Sequence, residues 1–162
     1  MQWGASVKKL AGLAVSLSMV CCAPAVAQSA RGGVLSMDRV YQGRIQLPDF
    51  AGRDRQFARF RTRIVNEMQT GPNFAGHYAM VETGCGTGCR FVIIGDVATG
   101  KVTSFPYGGE KYNMLQLTYS VKSNYVSAVW ASGNNCYSDT LEWNGATFKS
   151  SGVERFGNSD AC

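Results

Sequence analysis

The chain has 162 residues, 45% of them hydrophobic, and a formal net charge of +5. That is enough apolar material for one domain with its own core, and it excludes a disordered polyelectrolyte. No basic run is longer than Lys8-Lys9, so nothing in the charge pattern points to nucleic acid.

The first 27 residues read as a signal peptide. Lys8 and Lys9 give a basic start, Leu10 to Val20 is an apolar run, and Ala25-Val26-Ala27 is a small-x-small cleavage signature. The apolar run is shorter than the roughly 20 residues a bilayer core requires, so after cleavage no integral membrane segment is expected. The alternative, a lipoprotein cleaved before Cys21 or Cys22, lacks the small residue expected just ahead of either position. A mature chain starting at Gln28 keeps four of the six cysteines, an even number, in a periplasmic or secreted compartment where disulfides persist. Residues 28–37 are small and polar and read as a flexible N-terminus, leaving 38–162 as a single disulfide-stapled domain.

Val40 to Leu47 alternates weakly around Gly43 and reads as an edge strand. Asp54 to Gln69 is the amphipathic helix. Phe57, Phe60, Ile64 and Met68 share one face, Arg55, Arg59 and Arg63 the other, and Thr70-Gly71-Pro72 is the stop. Arg61 interrupts the apolar face, about 40° from Phe57 on an ideal wheel. It is expected to meet a carboxylate, Glu82 or Asp96, or else to snorkel to the rim.

Beyond Pro72 the pattern is of strands. His77 to Thr83 and Arg90 to Val97 flank a cysteine loop. Phe91-Val92-Ile93-Ile94 is apolar on both faces, as in a strand covered on both sides. Asp96 to Lys101 reads as a hairpin connection, Lys101 to Phe105 as the return, and Gly108 to Lys111 as an open loop. Met114 to Val121 alternates, with Leu115, Leu117, Tyr119 and Val121 on one face, and turns into Tyr125 to Ala131. Asn144-Gly145 is a favoured two-residue turn, which would pair Trp143 with Ala146 and Leu141 with Phe148. The fold class is therefore α+β, mainly β: an antiparallel sheet of about six or seven strands with one N-terminal amphipathic helix packed on it.

Several short motifs have a common look. Phe60-Arg61-Thr62, GPNFAGHY from Gly71 to Tyr78, GCGTGC from Gly84 to Cys89, and Asp96-x-x-Thr99-Gly100 resemble a family of small exported bacterial proteins of unassigned function. The resemblance implies an envelope or secreted location and brings no reaction with it.

The site candidates cluster in one stretch. Three glycines let the Gly84–Cys89 loop bend tightly enough for a Cys85–Cys89 disulfide, which leaves Cys136 and Cys162 for a second bridge. On sequence alone all three pairings of four cysteines stay open. A redox pair, a zinc site with His77, or a Cys–His nucleophile compete for the same residues. Respectively they lack a helix after the cysteines, an evident fourth ligand, and an orienting group. Thr87, Arg90, His77 and Arg61 are the candidate binding residues, and His77 and Glu82 the weaker catalytic ones. No cofactor or metal is expected, and Asp96 reads as a turn residue. Trp130, Trp143, Tyr107, Tyr112 and Tyr125 would make a protein-binding or glycan-binding surface if a subset lay exposed on one sheet face. The leading expectation is a small exported binding module: an inhibitor, an immunity-type protein or an envelope accessory protein, recognising a protein or a cell-wall component. The alternatives are a periplasmic enzyme using His77 with Cys85/Cys89 or Glu82, and a purely structural envelope protein. Oligomeric state leaves no mark in the sequence.

Overall fold

Two antiparallel sheets share the core, where the sequence suggested one. The computed structural model describes residues 1, 3–4 and 39–162, so the expected signal peptide and flexible N-terminus lie outside the described residues apart from those first three. Eight strands follow one another: β1 (Tyr78–Gly86), β2 (Cys89–Asp96), β3 (Val102–Ser104), β4 (Asn113–Thr118), β5 (Tyr125–Ser132), β6 (Asn135–Trp143), β7 (Phe148–Ser150) and β8 (Glu154–Asn158). The first three form one sheet in the order β1-β2-β3. The rest form a second in the order β4-β5-β6-β7, with β8 paired to the other half of the same β6 edge. Alternation along a strand reports which side chains share a face, not which sheet the strand joins. The count of six or seven in one sheet is thus corrected to three plus five.

The helix is not N-terminal in the described domain, and it is shorter than its apolar pattern. Arg55–Phe60 forms 3₁₀ turns, and only α1 (Arg61–Gln69) is α-helical. This change of pitch explains Arg61. At about 120° per residue in 3₁₀ geometry, Phe57 and Phe60 eclipse, and Arg61 swings about 100° off their face instead of 40°. Its guanidinium lies exposed, 5.3 Å from the centroid of the Phe50 ring. No ion pair with Glu82 or Asp96 forms; the snorkelling alternative is the one realised.

Phe57, Ile64 and Met68 press on the outer face of the three-stranded sheet, against Ala79, Val81, Ile93 and Val97. A Cβ on Gly95 would lie 2.5 Å from Met68 Sδ, so the bare backbone there sets how closely the helix can approach. The opposite face carries Met80, Val92 and Ile94 into a second core with Leu115, Val126, Ala128, Trp130, Leu141 and Trp143 of the five-stranded sheet. The layers run helix, three-stranded sheet, five-stranded sheet. β2, paired on both edges and covered on both faces, is the doubly apolar strand read in Phe91–Ile94.

Two local expectations change. Val40–Leu47 forms no strand. It runs beside the domain on two backbone bonds, Tyr41 N–H to the Gly76 carbonyl and Gln46 N–H to that of Val97 (both 2.8 Å). The last hairpin pairs Trp143 with Phe148 and Leu141 with Ser150, two residues out of the expected register. The Asn144 side chain accepts from the N–H groups of Ala146 and Thr147 (2.9 and 2.8 Å), which opens the turn to four residues. A two-residue slip preserves the faces, and it brings the Trp143 and Phe148 rings to 4.6 Å. Trp130 and Trp143 are buried, Tyr107 and Tyr112 half-buried, so of the five aromatic candidates only Tyr125 is exposed.

Candidate functional site

The GPNFAGHY and GCGTGC motifs sit at opposite ends of β1. At the first, Ala75 (φ +44°) and Gly76 (φ +80°) make a tight reversal closed by mutual bonds between Phe74 and Tyr78. Asn73 fixes it by accepting from Met80 N–H at 2.7 Å. The N–H groups of Ala75 and Gly76 then reach the carbonyls of Ser120 and Val121. The motif therefore joins the two sheets. His77 follows, partly exposed, its ring 4.1 Å from that of Tyr78 and its Nε2 3.9 Å from Asp96 Oδ1. Asp96 is the turn residue expected: its oxygens accept from the Ala98 and Thr99 N–H groups and the Thr99 hydroxyl.

At the other end, the β1–β2 hairpin closes on a Cys85–Cys89 disulfide with a Cα separation of 5.1 Å, beside a bulge between Gly84 and Gly86. Residues Gly84 to Gly88, Thr87 among them, are exposed. Gly88 takes a left-handed backbone, φ +70°, that favours glycine. Its carbonyl accepts from Met114 N–H at 2.7 Å, tying the tip to β4. Cys136 and Cys162 form the second disulfide, with a Cα separation of 5.6 Å.

Behind the tip lies a groove of about 440 Å³, lined by Arg63, Glu82, Thr83, Arg90, Met114 and the loop glycines. Arg90 Nη1 donates to Glu82 Oε2, and the Tyr119 hydroxyl donates to Glu82 Oε1 at 3.3 Å. Arg63 Nε donates to the Glu82 backbone carbonyl at 3.1 Å and meets no carboxylate among the described residues. The groove thus holds two guanidinium groups against one carboxylate. Such a set suits recognition of an acidic or acceptor-rich group. Proton abstraction suits it poorly, since both Glu82 oxygens are already engaged.

The β1–β2 hairpin therefore brings Glu82, Arg90 and Thr87 to one end and leaves His77 at the other. At about 3.3 Å per residue, His77 is roughly 16 Å from Glu82 and 26 Å from Cys85. With both cysteines oxidised, no Cys–His pair is assembled. No group of three His, Cys, Asp or Glu residues able to hold a metal occurs among the described residues. Arg61 stands apart on Phe50. Sequence reading missed Arg63 and Tyr119. Arg63 belonged to a charged helix face that looked merely solvated, and Tyr119 to an alternating strand.

Burial, then the negative charge of Glu82, pushes the Tyr119 hydroxyl up to about 12; burial, then the Asp139 carboxyl, does the same for Tyr107. A raised folded-state value favours the protonated form. The associated stability is fully present below the unfolded value near 10 and is lost as pH rises through 12. The urea midpoint is expected to fall over that window, less steeply in Tyr119→Phe. Titration of all seven tyrosines together near 10 in the folded protein would contradict it.

No protein-family model matches the chain, and neither a curated protein nor a solved structure matches it.

Proposed function

We propose that the protein is an exported binding module whose disulfide-clamped β1–β2 tip, with Arg63 and Arg90 behind it, engages an acidic group on an envelope or secreted protein or on a cell-wall component. Inhibitor, immunity-type and accessory roles all fall within this reading. The observation that carries it is the exposed loop Gly84–Gly88, held at both ends by covalent and hydrogen bonds and backed by a groove with one guanidinium in excess. A tip ordered before binding loses little freedom on contact, which favours recognition. Export rests on the leader pattern of residues 1–27, and two disulfides fit an oxidising compartment.

The test places a photo-crosslinking residue at Thr87 and, as control, at exposed Lys122, in cells exporting the protein. A discrete adduct at Thr87 alone, weakened severalfold by Arg63→Ala with Arg90→Ala, is expected. Equal or absent labelling at the two positions removes the reading. The exported protein, weighed intact, is expected to begin at Gln28 with four cysteines oxidised.

A further inference from the structure

A second groove, of about 360 Å³, lies between the 3₁₀ turns and the free edge of β3. Phe57, Phe60, Phe91 and Ile93 give it an apolar lining, with Ser104 and Pro106 along the edge. The backbone bonds of β3 fix which of its groups face outward. Phe105 N–H donates to the Val92 carbonyl at 2.9 Å, and the Lys101 carbonyl accepts from Asp96 N–H at 2.8 Å. Bonded residues alternate in an antiparallel ladder, so Val102 and Ser104 turn their N–H and C=O groups away from β2. Val102 N–H meets the buried Asp54 carboxyl. The Val102 carbonyl and both Ser104 groups find no partner among the described residues, and Ser104 is exposed. Pro106 has no N–H, so the row of outward donors ends at Ser104.

Arg59 stands where that row ends. Its exposed guanidinium lies 4.5 Å from the centroid of the Phe60 ring and 5.9 Å from that of Phe91, the residue level with Pro106. No carboxylate lines the groove, and Arg59 forms no ion pair among the described residues. Stacking on the rings steadies the guanidinium plane and leaves its N–H edge free. We infer that the groove binds the C-terminal end of an extended polypeptide as a short strand parallel to β3. The residue before the last would donate its N–H to the Val102 carbonyl and accept from Ser104 N–H. The last residue then falls opposite Ser104. Val102 packs on the helix-side core and Ser104 shares its face, so the last side chain enters the apolar groove. The terminal carboxylate reaches Arg59. The opposite direction would set a terminal ammonium against the guanidinium. None of these groups belongs to the β1–β2 tip.

The probe is the peptide N-acetyl-Ala-Ala-Leu with a free carboxylate, titrated into the exported protein and followed at the backbone amides. A saturable shift at Ser104 N–H is expected, with slower exchange of that proton and a Kd on the order of 0.1–1 mM. Capping the peptide as its C-terminal amide is expected to weaken binding about tenfold, and Arg59→Gln to weaken the free acid equally. Arg59 is exposed, so the variant keeps its fold. Arg63→Ala, which alters the tip groove, is expected to leave this affinity unchanged, so the two surfaces fail separately. Hexanoate supplies an acid and an alkyl tail without amides. Equal binding of hexanoate, equal affinity for acid and amide, shifts confined to Gly84–Gly88, or no saturable shift overturns the inference.

Discussion

Replacing Cys136 and Cys162 together by alanine is expected to lower the unfolding free energy by about 3.5 kcal/mol, whereas replacing Cys85 and Cys89 costs about 2 kcal/mol. The difference comes from loop length: the first pair lies 26 positions apart in sequence and the second four. The long bridge also holds more structure. Cys136 is fully buried on β6, and Cys162 follows the closing turn after β8, where its carbonyl accepts from Gln116 Nε2 at 2.6 Å. A domain of this size has roughly 5–15 kcal/mol of stability, so the first double substitution removes a large share of it. Urea unfolding of the two variants measures this. The denaturant slope is expected to rise in the first, because its unfolded chain expands more. An equal or larger loss from the Cys85/Cys89 pair would show that native-state strain or residual unfolded structure, not loop closure, sets the scale.

Asp139→Ala is expected to destabilise the domain by about 2–4 kcal/mol. Asp139 is 3% exposed on β6 and accepts from the Tyr107 hydroxyl, the Ser150 hydroxyl at 2.5 Å and the Gly152 N–H at 3.2 Å. These donors come from the loop before β4, from β7 and from the turn toward β8, so one carboxyl group fastens three segments that share no ladder with one another. Truncation leaves all three donors facing a void. Asp139→Asn keeps acceptor capacity on one atom and is expected to lose about half as much. Chemical denaturation resolves the order, and faster amide exchange at Gly152 is expected in both variants. A loss below about 0.5 kcal/mol for alanine would mean that water replaces the carboxyl group and that the network contributes little.

How much of this was legible depends on range. Of the helix face read as Phe57, Phe60, Ile64 and Met68, three residues are buried and Phe60 is half-buried, while the covered strand at Phe91–Ile94 and the turn role of Asp96 appear as read. The preferred disulfide pairing also forms, because the glycine loop favours closure within Cys85–Cys89. Local pattern misled where a small change of geometry redirects a side chain. The 3₁₀ pitch moved Arg61 off the apolar face, and the Asn144 side chain traded a two-residue turn for one of four. Division into two sheets, and the pairing of β8 with an edge β6 already shares with β7, depend on contacts far apart in sequence. The site followed the same rule. Glu82 and Arg90 were found because they flank a conspicuous loop, while Arg63 joins them across 19 residues through a backbone carbonyl.

The bond from Met114 N–H to the Gly88 carbonyl gives the hairpin tip a mechanical character. Met114 holds a left-handed backbone (φ +54°) at the start of β4, where the register with β5 is irregular, so this junction is fixed on both sides. A pull on the tip is not borne by the β1–β2 ladder alone. It passes through Gly88 into β4, and from Gln116 to the carbonyl of Cys162, whose sulfur is bonded to Cys136 at the centre of the larger sheet. The tip and Cys162 are thereby two ends of one tether, and a partner seated on Thr87 would load both sheets at once.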